Sequence, residues 1–324
     1  MKNLPKISNG VDIKKELPGV KGNVLLKDYT TFKIGGPAKY FLVAKNKEDI
    51  IKAILVAKKF HPVRDYRDNK KAQRKQISNG VKLPFFVLGG GSNTLVSDRG
   101  FKGLVIKVES RMLKVEGSSI YAEAGVSLSE SVSTALENNL AGLEWTAGIP
   151  GTIGGAIYGN AGAFGKSMGD SVKKVEVLDT KDLRFKICDL RKCKFGYRDS
   201  AFKRNKNLII LSVTLQLKKG NKKEIEKKIK EYLKYRKKNQ PLNFPSAGSI
   251  FKNPPGFFAA KLIEDCGLTG KKIGKAKISE KHANFILNLG GAKAKDVKKL
   301  IKLIKQKVKK KFGVKLEEEI QYLF

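Results

Sequence analysis

Two glycine-rich segments could bind a ligand through their backbones: the composition of the first suits an anion such as a pyrophosphate, and that of the second suits a buried backbone packed against a flat ligand. Residues 89–93 read GGGSN directly after an apolar run, and residues 148–156 read GIPGTIGGA. Backbone N–H groups of neighbouring glycines can converge on a phosphate because no Cβ atoms stand in the way. A tight turn explains the first segment equally well. Neither segment has the GxGxxG spacing of a dinucleotide site. The GKS at residues 165–167 is not a P-loop, since Asn160 stands where that motif needs a glycine.

Three polar residues have side chains suited to acid–base or charge-stabilising chemistry. Arg198, in the sequence YRDS, is one of 10 arginines beside 57 lysines, and its planar fork suits a carboxylate. A surface ion pair with Asp199 is the alternative. Ser249 follows small residues in SAGSIFKNP, and no histidine lies nearby in sequence for an acyl-transfer triad. A serine that only donates a proton needs no such base. Glu319 belongs to LEEEI, which an exposed, salt-bridging strand would also explain.

The composition narrows the class of protein. The formal net charge is +37, which suggests a nucleic-acid or membrane-surface binder, but 41% hydrophobic residues are typical of a folded globular chain. Specific nucleic-acid readout favours arginine, which is scarce here. The three cysteines form no CxxC pair, and two histidines are too few for a multi-histidine metal site, so we expect no metal. The N-terminus has no signal-peptide core and no apolar run spans a bilayer, so we expect a cytoplasmic protein.

The pattern of apolar residues predicts the helices and strands that position these residues. Apolar periodicity predicts helices over 47–60, 128–139, 224–237 and 296–312, the last with Gly313 as its C-cap. The two later helices are lysine-rich opposite their apolar stripes, which favours ordinary surface helices over membrane-surface ones. Strand patterns occupy 85–88, 104–126 and much of 171–218. These patterns predict a mixed α+β protein with a second domain from about residue 220.

Seven blocks in fixed order carry a family resemblance. The blocks are TFKIGGPA, GGGSN, GIPGTIGGA with NAGAFG, GYRDS, SAGSIFKNP, GLTGKKIGKAKISEKHANFILN and LEEEI. From about residue 20 to the C-terminus the chain resembles the UDP-N-acetylenolpyruvoylglucosamine reductase family. The 51 residues from Arg198 to Ser249 resemble the shorter type of the family, which lacks an extra tyrosine-bearing loop.

The resemblance implies an α+β fold of the vanillyl-alcohol-oxidase (PCMH) type, with FAD held by two subdomains and a C-terminal α/β substrate domain. The expected divisions are a polar tail at 1–20, a first FAD-binding subdomain at 21–103, a second at 104–220 and the C-terminal domain at 221–324. Residues 61–82 look inserted relative to the family. They are rich in lysine and arginine, so they either contact an anionic partner or are simply solvated; we favour solvation.

The resemblance also implies an activity and its residues. The family uses NADPH and FAD to reduce UDP-N-acetylglucosamine enolpyruvate to UDP-N-acetylmuramate for peptidoglycan. Reduced FAD delivers hydride to the enolpyruvyl methylene carbon, and a serine supplies the proton. Ser249 corresponds to that proton donor, and Arg198 and Glu319 correspond to the other two catalytic residues. Tyr197, Lys252 and Asn253 are expected at the substrate. FAD contacts are implied for Thr31, Ile34, Gly35, Gly89, Gly90, Gly91, Ser92, Asn93, Gly148, Ile149, Pro150, Gly151, Gly154, Gly155 and Ala156.

Two other functions are compatible with parts of the sequence. The same flavin fold could act on a small hydroxy acid, although such enzymes do not account for SIFKNP and the terminal glutamate. A basic nucleic-acid-binding protein would account for the charge and would be colourless. We expect no specific nucleic-acid partner, no membrane insertion and a monomer. The flavin absorbance of the purified protein distinguishes these hypotheses.

Overall fold

The computed structural model describes residues 13–59 and 83–324 of the 324-residue chain. The predicted insertion at 61–82 and residues 1–12 of the predicted tail lie outside the described residues. The remainder of that tail is not simply polar, which corrects the prediction. Ile13–Glu16 form a short helix, α1, and Ile13 and Leu17 are buried in the core. These two side chains lie one helical turn apart, so lysines and a glutamate separate them in the sequence.

The first region is a four-stranded sheet covered by a helix. Its elements are β1 (Lys21–Leu25), β2 (Pro37–Ala44), α2 (Lys47–Lys59), β3 (Phe85–Leu88), β4 (Thr94–Val96) and β5 (Phe101–Val108). The strand order is β1-β2-β5-β3, in which β1 is antiparallel to β2 and the other neighbours are parallel. Because β5 continues to Val108, this region extends past the predicted boundary at residue 103.

The second region is built on a five-stranded antiparallel sheet. Its elements are β6 (Leu113–Glu116), β7 (Ser119–Glu123), α3 (Leu128–Glu137), β8 (Leu140–Ala141), α4 (Ile153–Gly159), β9 (Gly162–Ala163), β10 (Lys166–Ser167), β11 (Val172–Asp179), β12 (Arg184–Asp189), α5 (Leu190–Cys193), α6 (Ala201–Arg204), β13 (Leu208–Gln216), β14 (Lys218–Lys219) and α7 (Lys222–Asn239). The strand order is β12-β11-β13-β7-β6, and its core is continuous with the buried stripe of α2. The Ser127 hydroxyl caps α3 by accepting from the Glu130 amide.

Helix α7 packs on the second region, although the C-terminal domain was predicted to begin at 221. Ile229 packs against the second region's core, and the Arg236 side chain donates to the carbonyls of Trp145 and Ala147 at 2.9 and 2.8 Å. The structural boundary therefore lies after Asn239. The change in sequence composition near Lys219 coincides with the end of a strand and the start of a helix, and it does not mark the start of another core.

The third region has its own core beneath a long helix. Its elements are α8 (Ala259–Asp265), β15 (Lys272–Ile273), β16 (Ala276–Ile278), β17 (Ile286–Asn288), α9 (Ala294–Phe312) and β18 (Gln321–Leu323). Strands β15, β16 and β17 form an antiparallel sheet. Helix α9 buries the predicted stripe in this core and ends at Gly313, which has φ of +70° as a C-cap. In the part of the chain that the structure describes, no helix is long and apolar enough to cross a membrane.

Several contacts join the third region to the first. Strand β18 pairs in parallel with β4, and Phe32 and Ile34 of the first region are buried in the third region's core. The Asp98 carboxylate accepts from the amides of Ala294 and Lys295 at 2.7 and 3.1 Å, so a first-region side chain caps α9. The TFKIGG segment is therefore fixed between these two regions.

Candidate active site

The three segments predicted to wrap FAD meet one another. A Cβ built on Gly90 would lie 2.6 Å from Gly151 Cα, and one on Gly91 would lie 2.2 Å from the Tyr29 carbonyl oxygen. The Thr31 amide donates to the Gly91 carbonyl at 3.2 Å. Gly91 also has φ of +64°, which disfavours a side chain. These glycines are required because the backbones approach so closely. Gly35 and Gly89 are closely packed in the same way, against Val96 and Thr152.

The meeting point has unused hydrogen-bonding groups. Within residues 13–59 and 83–324, the amides of Gly90, Gly91 and Ser92 donate to no protein acceptor. Asn93 Oδ1 and Thr30 Oγ1 are buried, and neither has a partner among the described residues. Converging amides attract anionic oxygens, and buried acceptors require donors. FAD offers phosphate oxygens as well as hydroxyl and N–H donors, so these residues fit FAD.

Some of the residues predicted to contact FAD are packed against the protein interior. Ile34 lies in the third region's core and Ala156 in the second region's core, so only their backbones are available. Gly154 packs on Ala124, since a Cβ there would lie 2.7 Å from the Ala124 Cβ. Gly155 is exposed and lacks such a close neighbour. The remaining predicted contacts in this segment are exposed or half-buried loop residues, namely Gly148, Ile149, Pro150 and Gly151.

Arg198 lies in a tight turn of the second region. Gly196 and Asp199 exchange two backbone hydrogen bonds of 3.0 and 3.2 Å, and Arg198 between them has φ of +51°. Left-handed backbone is unfavourable for a residue with a Cβ, so the turn must be held by its surroundings. The guanidinium lies over Gly162, where a Cβ would be 3.2 Å from Arg198 Nη1. The turn therefore directs the guanidinium across β9.

Glu319 faces Arg198 from the third region. Arg198 Nε lies 2.7 Å from Glu319 Oε1 in an ion pair, and 22% and 17% of the two side chains are exposed. Nε is buried, and its N–H makes no hydrogen bond of good geometry with any of the described residues. The Glu319 amide donates to the Ile250 carbonyl at 2.8 Å, and its carbonyl accepts from Asn93 Nδ2 at 3.2 Å. Burial raises the pKa of the Glu319 carboxyl, although Arg198 opposes that shift. The ion pair thus lies beside the GGGSN loop in a poorly solvated position.

Ser249 belongs to the segment that pairs with Glu319. Its neighbour Ile250 accepts from Glu319, and Ser249 itself forms a β-bridge with Phe285. The buried Asn284 side chain accepts from the Phe251 amide at 2.9 Å and donates to the Phe251 carbonyl at 2.8 Å. This backbone ladder places the Ser249 segment beside the backbone of Glu319, whose side chain pairs with Arg198. The structure therefore brings the segments that carry the three predicted catalytic residues next to one another.

The predicted substrate residues join the same two regions. The Asn253 amide donates to the Tyr197 hydroxyl at 3.2 Å, and Asn253 Oδ1 accepts from the Ala259 amide at 3.0 Å. Lys252 Nζ lies 2.5 Å from Glu317 Oε1, and 17% of its side chain is exposed. Tyr197 is 59% exposed beside them. These residues form a polar rim with an exposed aromatic ring.

Two residues of this area escaped the sequence analysis. Lys203 is half-buried beside the Arg198 turn, and nothing in the sequence distinguished it from the other lysines. Arg236 is only 6% exposed and its guanidinium lies 5.2 Å from the Phe164 ring. Arg236 continues the helical spacing of Ile225 and Ile229 on α7, so periodicity alone would have placed it on the packed face.

Comparison with known proteins agrees with this arrangement. Residues 240–323 match the model of the UDP-N-acetylenolpyruvoylglucosamine reductase C-terminal domain, and residues 74–183 match that of an FAD binding domain. The first match begins one residue after α7 ends, consistent with the structural boundary. The chain is 46% identical to UDP-N-acetylenolpyruvoylglucosamine reductase of Caldanaerobacter subterraneus subsp. tengcongensis, with 92% of each chain covered. It is 41% identical to that of Caldicellulosiruptor bescii, with 98% and 92% covered.

A solved structure is similar across nearly the whole chain. The crystal structure of UDP-N-acetylenolpyruvylglucosamine reductase (MurB) from Thermus caldophilus superposes with a TM-score of 0.76 at 35% identity. The alignment covers 94% of this chain and 99% of that one. The fold class and the family resemblance predicted from the sequence are confirmed. The chain belongs to the UDP-N-acetylenolpyruvoylglucosamine reductase family of FAD-binding oxidoreductases.

Proposed function

We propose that the protein uses NADPH to reduce the enolpyruvyl ether of UDP-N-acetylglucosamine enolpyruvate, which gives UDP-N-acetylmuramate. The observation that supports this proposal most strongly is the Arg198–Glu319 ion pair beside the Ser249 segment. The pair adjoins the GGGSN loop through the bond from Asn93 to the Glu319 carbonyl. A cation, a carboxylate and a hydroxyl therefore border the loops that fit FAD.

The cofactor is held by the three converging glycine segments in this proposal. The free amides of Gly90, Gly91 and Ser92 would bind its phosphates, and Asn93 and Thr30 would accept from its donor groups. When bound, FAD supplies hydride-transfer chemistry between NADPH and the enolpyruvyl methylene carbon.

The residues of this chain have separate roles at the enolpyruvyl group. Hydride addition at the methylene carbon places negative charge on the neighbouring carbon and its carboxylate. Arg198 stabilises that charge in a site where water is largely excluded and the donors are already positioned. Ser249 gives its hydroxyl proton to the charged carbon, which is basic enough to deprotonate a serine. Glu319 orients the Arg198 guanidinium through the 2.7 Å ion pair.

The substrate's nucleotide part is assigned to the polar rim. Lys252 supplies positive charge for the diphosphate, and Asn253 and Tyr197 lie next to it. We propose that a monomer is active. We also propose a cytoplasmic location, since NADPH and nucleotide sugars are available there.

Two measurements test the function. The purified protein should show a flavin absorbance spectrum, and NADPH should be oxidised only when UDP-N-acetylglucosamine enolpyruvate is added, in equal amounts. A small hydroxy acid should support no turnover. Oxidation of a hydroxy acid instead, or colourless protein that binds DNA with a steep salt dependence, would contradict the proposal.

A further inference from the structure

Three side-chain hydrogen bonds to backbone carbonyls hold the Arg198 turn, in addition to the ion pair between Arg204 and Asp199. Asn160 Nδ2 donates to the Gly196 carbonyl at 2.8 Å, and Ser200 Oγ donates to the Tyr158 carbonyl at 2.7 Å. Lys203 Nζ donates to the carbonyl of Arg198 itself at 2.9 Å. The first two bonds fix the ends of the turn. Only the third reaches the peptide of the residue that has left-handed backbone.

Lys203 uses its charge in an uncommon way. It is half-buried, and among residues 13–59 and 83–324 no carboxylate lies within ion-pair distance of its amine. The charges that act on it are those of Arg198, Lys252, Glu317 and Glu319, which all belong to the proposed site. Burial and the two neighbouring cations lower the pKa of its amine. Burying a lysine amine away from water costs free energy, and a hydrogen bond to a backbone carbonyl offsets part of that cost.

We propose that Lys203 is a positioning residue that holds the Arg198 peptide in its left-handed conformation and so aims the guanidinium at Glu319 and the substrate. The inference rests on the proposed function for its catalytic consequence, but its structural part does not. Without the Nζ donor, the Arg198 peptide can turn toward a more favourable φ. The guanidinium would then leave Gly162 and Glu319, since its Cα–Cβ direction changes with the peptide.

The half-reaction with substrate tests the catalytic consequence. Enzyme reduced with dithionite is mixed with UDP-N-acetylglucosamine enolpyruvate, and flavin reoxidation is followed by absorbance. Lys203→Met should lower the limiting rate by about 10- to 100-fold, the size expected when a charge stabiliser is displaced by an ångström. The half-saturating concentration should stay unchanged. Lys206→Met, an exposed lysine on the same segment, is the matched control and should have wild-type rates.

A double-mutant cycle separates positioning from direct contact. If Lys203 acts through Arg198, then Lys203→Met should cause no further loss in an Arg198→Ala background. Two results would overturn the proposal, because each would show that Lys203 acts on the substrate itself. One is an equal loss of rate in both backgrounds. The other is a raised half-saturating concentration with an unchanged limiting rate.

An NMR measurement tests the structural part without turnover. The Arg198 Nε–H signal, assigned by its loss in Arg198→Ala, should exchange slowly with solvent in the wild-type protein. In Lys203→Met it should exchange much faster, while the melting temperature stays close to that of Lys206→Met. Unchanged exchange would overturn the positioning role. If the wild-type enzyme fails to react with the enolpyruvyl substrate, the proposed function is wrong, and the exchange measurement still decides the role of Lys203.

Discussion

The two sides of the proposed site are built in different ways. Arg198 comes from a short turn of the second region that side chains hold at three points, with its own backbone in an unfavourable conformation. Ser249 and Glu319 come from a backbone ladder of the third region, in which residues 250–252 pair with residues 317–319 and Ser249 pairs with Phe285. The ladder is fixed by the fold's core, whereas the turn depends on a few polar contacts.

This difference separates two kinds of mutational effect. Changes in the turn should alter catalysis with little loss of global stability, because the turn contributes few apolar contacts to the core. Changes in the ladder should alter stability first, because buried backbone groups of the ladder would lose their hydrogen-bond partners. The following predictions test this division.

Ser249→Ala should have the largest effect on the reaction. Removal of a positioned proton donor should slow reoxidation of reduced enzyme by the enolpyruvyl substrate by about 10²- to 10⁴-fold. Reduction of the enzyme by NADPH should be unchanged, because no proton from Ser249 is needed there. Ser246→Ala is the control, since its hydroxyl accepts a long hydrogen bond of 3.4 Å from the Gly248 amide. Equal slowing of both half-reactions would contradict the role of Ser249.

Arg198→Ala should have the second-largest effect. It should lower the limiting rate at which the enolpyruvyl substrate reoxidises the reduced enzyme by about 10²- to 10³-fold. The free energy of unfolding should fall by less than for an unpaired buried charge, because burial raises the pKa of Glu319, so that without Arg198 its carboxyl can take up a proton. Urea unfolding and stopped-flow reoxidation measure the two quantities. Arg191→Ala, at an exposed arginine of the second region, is the control. A large loss of stability would show that the turn belongs to the core.

Asn284→Ala should show the opposite pattern on the ladder side. It removes both side-chain bonds to the Phe251 backbone, so unfolding should become easier by about 1–3 kcal/mol. Asn239→Ala, which removes one exposed amide bond to the Tyr235 carbonyl, should cost within about 0.5 kcal/mol. Denaturant titration compares the two variants. A smaller loss for Asn284 than for Asn239 would remove the basis for contrasting the two sides.

The smallest effect should appear in the pH dependence. Burial raises the pKa of the Glu319 carboxyl, so its ion pair with Arg198 should be lost as the pH falls through a value above that of an ordinary glutamate. The limiting rate should fall on the acid side at that point. Glu319→Gln should remove this limb and leave a lower rate that depends less on pH. Persistence of the limb in the variant would assign it to another group.

The sequence was informative where a local pattern sets the structure. The stripe of α9 and its Gly313 cap follow from apolar spacing and one glycine, and the structure confirms both. The extent of the last region did not follow, because helix α7 has the same lysine-rich texture as α9 yet packs on a different core. Which core receives an amphipathic helix depends on distant residues such as Trp145 and Ala147, which one sequence does not place in space.

The site was predictable in its residue types but not in its supports. Glycine clusters, a rare arginine and a terminal glutamate drew attention in the sequence because their types are unusual in this chain. Lys203 is one of 57 lysines, so its type carries no signal, and only the bond to Arg198 distinguishes it. Ile34 was expected at FAD, yet its side chain lies in the third region's core, since the TFKIGG segment contacts two regions at once.

The pairing of β18 with β4 has a consequence for how the protein forms during synthesis. Gln321 is the partner of Thr94, so more than 200 residues must be made before this strand pair can close. Such distant pairings slow folding and leave edges uncovered in the meantime. On the ribosome, β4 has no partner strand until residues 321–323 have been made. Glu319 lies two residues before β18, so the carboxylate partner of Arg198 arrives in the same late step.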